Sequence, residues 1–169
     1  MTEYFLEKDN LGFRKTIFAD CEKFARWEKQ EFIMKSFSIS SNHCYEDVLR
    51  DFFARETDPT TLQLTMIDKE TDTVFGRIIV SAMNSRLRTA DIWRIYIGDP
   101  AYLRKGLGEK AMLLLLEYLF QHLHMERVTL DHYLDNERAA ALYQKLGFQS
   151  EGIQRHVTIR DGKYFDLHL

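Results

Sequence analysis

The stretch from residue 90 to residue 124 constrains the fold of this chain more than any other part of its sequence. A predicted strand over residues 90–97 ends at Gly98-Asp99-Pro100, because proline has no backbone N–H to donate to a sheet ladder. The loop Leu103-Arg104-Lys105-Gly106-Leu107-Gly108 follows, and the predicted helix over residues 108–124 is apolar around most of its circumference. Such a helix is buried against a sheet, so the stretch predicts a strand, a glycine loop and a packed helix.

The residues before this stretch predict two helices within an antiparallel meander. Alternating apolar and basic residues indicate a strand over residues 11–18, after which Asp20 caps a helix. A second helix is expected over residues 45–54. The strands over residues 62–67 and 74–83 are joined by a short polar turn, which favours a hairpin.

The residues after it predict a strand, a helix and a terminal hairpin. The strand covers residues 128–131, and the helix over residues 136–146 is closed by Gly147. The pair Asp161-Gly162 is a strong signal for a hairpin turn between the last two strands. We therefore expect an α/β domain of the α+β type over residues 1–169, with a mixed, mostly antiparallel sheet of about seven strands and about four flanking helices.

Composition excludes several classes of protein. The 169 residues are 45% apolar and 13% aromatic, which is enough for one ordinary core. A formal charge of −3 gives no basic surface for nucleic acid. Cys21 and Cys44 are too few for a disulfide framework, the N-terminus does not resemble a secretory signal, and no apolar run reaches the ~20 residues that span a bilayer. We expect a cytoplasmic protein that binds neither nucleic acid nor membrane.

The glycine loop has the features of an anion site. A strand, a short turn and a helix start place backbone N–H groups around one concavity, and the helix dipole adds partial positive charge. A side chain at Gly106 or Gly108 would block close approach of a ligand or forbid a positive φ, and Arg104 and Lys105 add charge at the rim. A tight turn with solvated basic residues is the simpler interpretation of the same residues.

The segment Gly106-Leu107-Gly108-Glu109-Lys110-Ala111 also satisfies a dinucleotide-binding fingerprint, with Asp131 about 20 residues further on. Its position in the chain argues against that interpretation. A dinucleotide fold begins with this turn and continues through several parallel units, whereas here an antiparallel meander precedes the loop and only one helix-containing unit and a hairpin follow Asp131.

Two ordered motifs resemble one known family. The run Asp91-Ile92-Trp93-Arg94-Ile95-Tyr96-Ile97, followed by Pro100 and the glycine loop, resembles the fourth strand and pyrophosphate loop of the GNAT superfamily of N-acetyltransferases. The run Asn136-Glu137-Arg138-Ala139-Ala140-Ala141-Leu142-Tyr143-Gln144-Lys145-Leu146-Gly147-Phe148 resembles its later cofactor motif. The ending Gly162-Lys163-Tyr164-Phe165-Asp166 is similar to the branch that includes RimJ/RimL-like and spermidine acetyltransferases.

The resemblance implies an acetyl-CoA-dependent transfer to a primary amine, either a small molecule such as a polyamine or a protein N-terminus, in a ternary complex. A catalytically silent acyl-CoA-binding module of the same fold is the alternative. A homodimer is the assembly that we consider. The resemblance implies the following cofactor-binding residues: Ile95, Tyr96, Ile97, Leu103, Arg104, Lys105, Gly106, Leu107, Gly108, Glu109, Asn136, Ala139 and Tyr143. Leu103 departs from the family, which has Gln or Arg at this position.

The resemblance also implies catalytic roles. Tyr143 lies at the position of the general acid, and a phenol with a reference pKa near 10 is protonated at neutral pH. Asp91 begins the strand where some members carry the carboxylate that deprotonates the amine, and a solvated carboxylate at the end of a strand is the alternative interpretation of this residue. Other candidates for binding or deprotonating the amine are Glu28, Glu31, Tyr96 and Asp166. We predict no metal site, since His122 and His124 diverge on a helix.

Overall fold

The computed structural model describes residues 2–169 and contains nine strands and five α-helices. The strands are β1 (Leu6–Lys8), β2 (Leu11–Lys15), β3 (Leu62–Asp68), β4 (Thr73–Asn84), β5 (Thr89–Ile97), β6 (Arg127–Thr129), β7 (His132–Tyr133), β8 (Ile153–Arg160) and β9 (Lys163–His168). The helices are α1 (Cys21–Trp27), α2 (Glu31–Ser36), α3 (Tyr45–Glu56), α4 (Leu107–Glu117) and α5 (Glu137–Lys145). Within these residues, no helix has the length and apolar character that crossing a membrane requires.

The strands form two sheets. The larger sheet has the order β1-β2-β3-β4-β5-β6, and its first five strands are an antiparallel meander. The last pair, β5 and β6, is parallel, because α4 carries the chain back across the sheet between them. The smaller sheet has the order β7-β9-β8 and is antiparallel.

The predicted fold class is confirmed, and the structure adds detail to it. The strand β1 pairs with β2 through a tight turn at Asp9, which has a φ of 53°. The helices α1 and α2 are separate because Gln30 between them is extended, with φ −71° and ψ 131°. The predicted helix over residues 108–124 consists of α4 and one π-helical turn over Tyr118–His122. The sequence patterns did not separate the strands into two sheets.

The two faces of the larger sheet are covered by different elements. The main apolar cluster lies on the face that packs against α4 and includes Phe13, Ile78, Met112 and Leu115, each nearly inaccessible to solvent. Smaller clusters from α1, α2 and α3 cover the opposite face, which we call the α1–α3 face. Two layers of helices therefore enclose the sheet.

A β-bulge at Trp93 changes which side chains of β5 lie on each face. Ile79 of β4 pairs with Arg94 and the next residue pairs with Ile92, so Trp93 has no partner in β4. Ala90 and Ile92 lie in the cluster under α4 before the bulge, and Ile95 and Ile97 pack against the same cluster after it. The extra residue therefore places Arg94 and Tyr96 on the α1–α3 face.

The segment after α2 joins the α1–α3 face to the smaller sheet. Thr158 of β8 donates a hydrogen bond to Ser38 at 2.8 Å, and the backbone N–H of Ser41 donates to the carboxylate of Asp161 at 2.9 Å. The Ser38 and Tyr133 hydroxyls lie 2.5 Å apart. These contacts hold the segment against the hairpin of β8 and β9, beside the end of β5.

Candidate active site

The parallel ladder between β5 and β6 opens into a fork. Its register covers three pairs, Thr89 with Arg127, Ala90 with Val128 and Asp91 with Thr129. Beyond Asp91, β5 continues to Ile97, whereas β6 ends at Thr129. The edge of β5 over Ile95, Tyr96 and Ile97 therefore has no strand partner on this side. Unpaired backbone groups at such an edge are available to a ligand.

The glycine loop lies at the start of α4 and has the geometry of an anion site. Gly106 is left-handed, with a φ of 71°, and precedes the first residue of the helix, Leu107. The backbone N–H groups of Leu107, Gly108 and Glu109 have no acceptor within the helix. An added Cβ at Gly108 would meet no protein atom within 4 Å. The loop thus presents free donors on an open surface, which fits a pyrophosphate group.

Tyr102, which directly precedes the loop, fixes the position of its first residues. This ring stacks on Phe75 with 4.7 Å between the ring centroids, and its hydroxyl donates to Asp68 at 3.0 Å. The side chains of Arg104 and Lys105 are exposed, and the Lys105 ammonium lies 5.3 Å from the Tyr102 ring centroid. Arg104 has a positive φ of 61°, so the loop makes two left-handed steps within three residues. Leu103 is half-buried.

Replacing Gly108 with alanine separates the stability of the helix from its use as a binding site. Without ligand, the free energy of unfolding should be about 0.5–1 kcal/mol higher in the variant, because alanine has a higher helix propensity than glycine. Its affinity for acetyl-CoA should fall about tenfold or more, because the new methyl group stands where an anion approaches the amides. Urea unfolding and calorimetric titration measure the two effects.

The matched variant is Gly106→Ala, which should lose about 1 kcal/mol of stability, because its φ of 71° is unfavourable for a residue with a Cβ. Unchanged acetyl-CoA affinity in Gly108→Ala would show that the pyrophosphate lies elsewhere.

Helix α5 presents Asn136 and Tyr143 beside the fork. The Asn136 carboxamide oxygen caps the helix by accepting from the N–H of Ala139 at 3.1 Å, which leaves its NH₂ group free for a second partner. Tyr143 packs against His132 and Phe148, with ring centroids 5.8 Å and 5.9 Å away. Within residues 2–169 its hydroxyl has no hydrogen-bond partner. Burial, and then the negative charge of Asp131, raise the pKa of Tyr143 to about 12.

A contact between α4 and α5 links the loop to the second motif. The Lys145 ammonium donates to the carboxylate of Glu109 at 2.7 Å. Next to it, between the two helices, lies a cavity of about 880 Å³ that is lined by Leu130, His132 and Tyr143 among others. The glycine loop is not part of its lining.

Asp91 lies on the α1–α3 face where β5 and β6 separate, and Asp131 follows the end of β6. Thr129 donates to the Oδ1 atom of Asp91 at 2.7 Å, and burial raises the pKa of Asp91 against this hydrogen bond. Asp131 keeps contact with solvent, yet partial burial raises its pKa. The negative charge of Asp91 adds to this rise, and His132 opposes it.

The carboxylate of Glu28 lies at the centre of a buried network. Its Oε1 atom accepts from Arg77, Arg94 and Tyr96 at 2.8, 3.0 and 2.9 Å, and its Oε2 atom lies 2.8 Å from Nε2 of His43. The side chain has no solvent exposure. Burial by itself raises the pKa of Glu28, but the hydrogen bond from His43 and the two arginine charges outweigh burial and lower it to about 2.

This network includes two of the candidates for binding or deprotonating the amine, Glu28 and Tyr96. Both oxygens of Glu28 are occupied, and a carboxyl with so low a pKa is a weak base. The hydroxyl of Tyr96 donates to Glu28, and its pKa is raised well above the ordinary value by burial and by the charge of Glu28. Both side chains have their hydrogen-bonding groups occupied within the network, which argues against either one contacting an acceptor.

The other two candidates also have partners of their own. Glu31 is exposed at the start of α2 and pairs with Lys35 one turn later. Asp166 accepts a hydrogen bond from the backbone N–H of His156 at 2.8 Å, where β8 has an irregular register and a positive φ. Asp166 therefore has a structural role within the hairpin of the smaller sheet.

Comparison with known proteins was made against both sequences and structures. The chain is 23% identical to the N-acetyltransferase YoaA of Bacillus subtilis (strain 168) over 167 residues, which is 97% of this chain and 93% of that protein. It is 37% identical to the spermidine N(1)-acetyltransferase of Escherichia coli (strain K12) over 66 residues, 39% of this chain and 36% of that protein.

Its fold is similar to that of Vibrio cholerae spermidine N-acetyltransferase, solved in complex with CoA and spermine. The TM-score is 0.82 at 20% identity, covering 94% of this chain and 92% of that chain.

A forked sheet beside a glycine loop at a helix N-terminus is compatible with an acyltransferase that uses an acyl-CoA thioester. A family model described as the Acetyltransferase (GNAT) family matches residues 22–148. The chain belongs to this family, and acetyl-CoA is its co-substrate. The predicted family, enzyme class and cofactor are thereby confirmed. The free amides of the loop, the open space at Gly108 and the free NH₂ group of Asn136 fit this co-substrate.

Proposed function

We propose that the protein transfers an acetyl group directly from acetyl-CoA to a primary amine, with both substrates bound at the fork. One observation supports this most strongly: the candidate base and the candidate acid lie on different sides of the same opening. Asp91 lies on the α1–α3 face, where it contacts Thr129. Tyr143 packs on the other side, against the cluster under α4. An amine can therefore enter from one side while a thiolate is protonated from the other.

The residues that hold acetyl-CoA in this proposal come from three places. The amides of residues 106–109, with Arg104 and Lys105 at the rim, bind the pyrophosphate, and the half-buried Leu103 contributes only its backbone. The free edge of β5 at Ile95, Tyr96 and Ile97 pairs with the pantetheine arm and polarises the thioester carbonyl. Asn136 and Ala139 at the start of α5 contact the same arm.

The chemistry divides between two side chains. Asp91 accepts a proton from the acceptor ammonium, which leaves a neutral amine. The amine nitrogen then forms the new C–N bond with the thioester carbonyl carbon, the C–S bond breaks, and the nitrogen loses a second proton to solvent, which leaves the neutral amide. Tyr143 donates its phenolic proton to the departing thiolate, and the proton held by Asp91 passes through solvent to the Tyr143 phenolate, which restores both side chains. Acetyl-CoA supplies the activated acyl group.

The acceptor is a primary amine of one of three classes: a polyamine, an amino acid or a protein N-terminus. The similarity to the E. coli spermidine and L-amino acid N-acetyltransferases supports the first two. The experiment is to incubate the protein with acetyl-CoA and a panel of spermidine, amino acids and peptides, to follow the release of free thiol, and to identify the product by its mass. We expect acceptor-dependent thiol release with at least one class.

A reaction without acceptor measures simple hydrolysis and is the control. Tight binding of acetyl-CoA without acceptor-dependent thiol release across the panel would indicate a silent acyl-CoA-binding module instead.

We further propose a cytoplasmic location and a homodimer. Both cysteines, Cys21 and Cys44, are free thiols, as expected in a reducing compartment. A V. cholerae spermidine N-acetyltransferase that is similar in fold is dodecameric, so this fold is compatible with self-association. Light scattering coupled to gel filtration measures the mass of the assembly, and a monomer at assay concentration would overturn the homodimer.

A further inference from the structure

We infer that the junction between α1 and α2 positions the free edge of β5 for acetyl transfer, with Glu28 as its central positioning residue. The α1–α2 junction consists of Trp27, Glu28 and Gln30. This inference rests on the proposed function, in which the backbone over residues 95–97 pairs with the pantetheine arm and polarises the thioester carbonyl. It assigns the aim of those backbone groups to residues that act through β5 and do not touch the reacting atoms.

The backbone groups at the free edge belong to Ile95 and Ile97. The N–H of Gly98 donates to the carbonyl of Phe75 in β4 at 2.8 Å. In an antiparallel pair, successive residues direct their backbone groups alternately toward the partner strand and away from it. In this register Tyr96 therefore bonds to β4, whereas the N–H and C=O groups of Ile95 and Ile97 point away from β4, into the fork.

The residues that alternate with these two are held by the α1–α2 junction. The Oε1 atom of Glu28 accepts hydrogen bonds from Arg94 at 3.0 Å and from Tyr96 at 2.9 Å. The side-chain NH₂ group of Gln30 donates to the carbonyl of Gly98 at 2.7 Å. Three successive alternate residues are thus fixed by polar contacts, one on each side of every residue whose backbone groups are free.

The ring of Trp27 sets how closely α1 approaches the end of β5. A Cβ added at Gly98 would lie 2.1 Å from this ring, so the ring packs directly on the strand backbone. The same ring meets the Tyr96 ring edge-on, with 6.4 Å between the centroids. Arg77, which pairs with Tyr96 in β4, donates to Glu28 at 2.8 Å. The junction therefore holds β5 against both α1 and β4.

Such precision has consequences for catalysis. A backbone donor stabilises the developing oxyanion only when it is aimed at the position that this oxygen will occupy, and the loss of one donor costs about 10²–10³ in kcat. The strand β5 has a partner on one side of residues 95–97 only, so its ladder alone restrains it from one direction. A buried ion pair is often no more stabilising than apolar packing. The geometry that Glu28 fixes is accordingly the function that we assign to its network.

The test uses Tyr96→Phe, which removes the hydroxyl that joins β5 to Glu28 and keeps the ring. We expect kcat, measured by thiol release, to fall about tenfold, while the Kd of acetyl-CoA stays within about threefold, since the pyrophosphate binds elsewhere. Infrared difference spectra of acetyl-CoA that is isotope-labelled at the thioester carbonyl report polarisation directly. Binding should lower the carbonyl stretching frequency in the wild type and lower it less in Tyr96→Phe. Glu28→Gln should show the same smaller shift, with a larger loss of stability.

The matched control is Asp20→Asn, which alters another buried carboxylate that pairs with an arginine. Asp20 accepts from Arg14 at 2.6 Å and from Thr65 of β3 at 2.9 Å, and its hydrogen-bond partners lie outside β5. This variant should lose stability, as removal of one partner from a buried pair does, and keep the wild-type kcat and carbonyl frequency. The comparison separates positioning from a general loosening of the fold.

The outcomes distinguish this inference from the proposed function. Wild-type kcat and carbonyl frequency in Tyr96→Phe would overturn the positioning role, and so would an equal change in Asp20→Asn or an unshifted carbonyl in the wild type. A wild type that binds acetyl-CoA but acetylates no amine would overturn the proposed transfer. The infrared comparison requires no acceptor, so it would still test the α1–α2 junction in that case.

Discussion

Replacing Tyr143 with phenylalanine should lower turnover by about 10²-fold or more, which is the usual scale for the loss of a general acid, while the Kd of acetyl-CoA stays within about twofold. The ring contacts with His132 and Phe148 remain in this variant, so its packing and stability should not change. Only the hydroxyl is lost, and this hydroxyl has no partner among residues 2–169. Stopped-flow thiol release and calorimetry measure the two quantities.

The pKa of Tyr143 gives this prediction a pH dependence. With a pKa of about 12, the phenol remains protonated through the whole range in which the protein is assayed. Ionisation of this residue should therefore cause no loss of activity on the alkaline side below about pH 11. The matched control is Tyr118→Phe, a half-buried tyrosine at the end of α4. Unchanged turnover in Tyr143→Phe would mean that Tyr143 only packs.

Replacing Glu28 with glutamine should destabilise the protein by about 3–5 kcal/mol, the usual consequence of removing one partner from a buried ion pair. Arg77 and Arg94 would keep their charges in a buried position without the carboxylate that both contact. Asp51 accepts only one hydrogen bond from Arg77, at 3.2 Å, and cannot compensate for both. Urea unfolding at neutral pH measures the loss. The control is Glu31→Gln, whose side chain is exposed and should change stability little.

The same carboxylate should make stability depend on pH on the acid side. The pKa of Glu28 is about 2 in the folded protein, below its ordinary value of 4.5. A group whose pKa is lowered by folding stabilises the fold above the unfolded pKa and loses that contribution as pH falls through the folded value. The free energy of unfolding should therefore fall from about pH 4.5 towards pH 2, and Glu28→Gln should show a smaller fall. Equal slopes for both proteins would assign acid unfolding to other carboxylates.

The glycine loop could be predicted from the sequence because its chemistry is local. The amides, the left-handed Gly106 and the start of α4 lie within a few residues, so their arrangement follows from the helix terminus itself. The cap at Asn136 is local in the same way. The network around Glu28 could not be predicted, because its partners Arg77 and Tyr96 are 49 and 68 residues away in the chain and meet it only across two packed layers.

The amino-acid sequence by itself determined the order of helices and strands, the glycine loop and the family motifs, because periodicity and turn chemistry operate over short distances. Only the tertiary structure decided which side chains face the fork. Strict alternation would put Arg94 and Tyr96 on the same side as Ile92, and the bulge at Trp93 moves them to the opposite face. Thr129 becomes a hydrogen-bond partner of Asp91 only through the parallel register of β5 and β6, which α4 sets by returning the chain across the sheet.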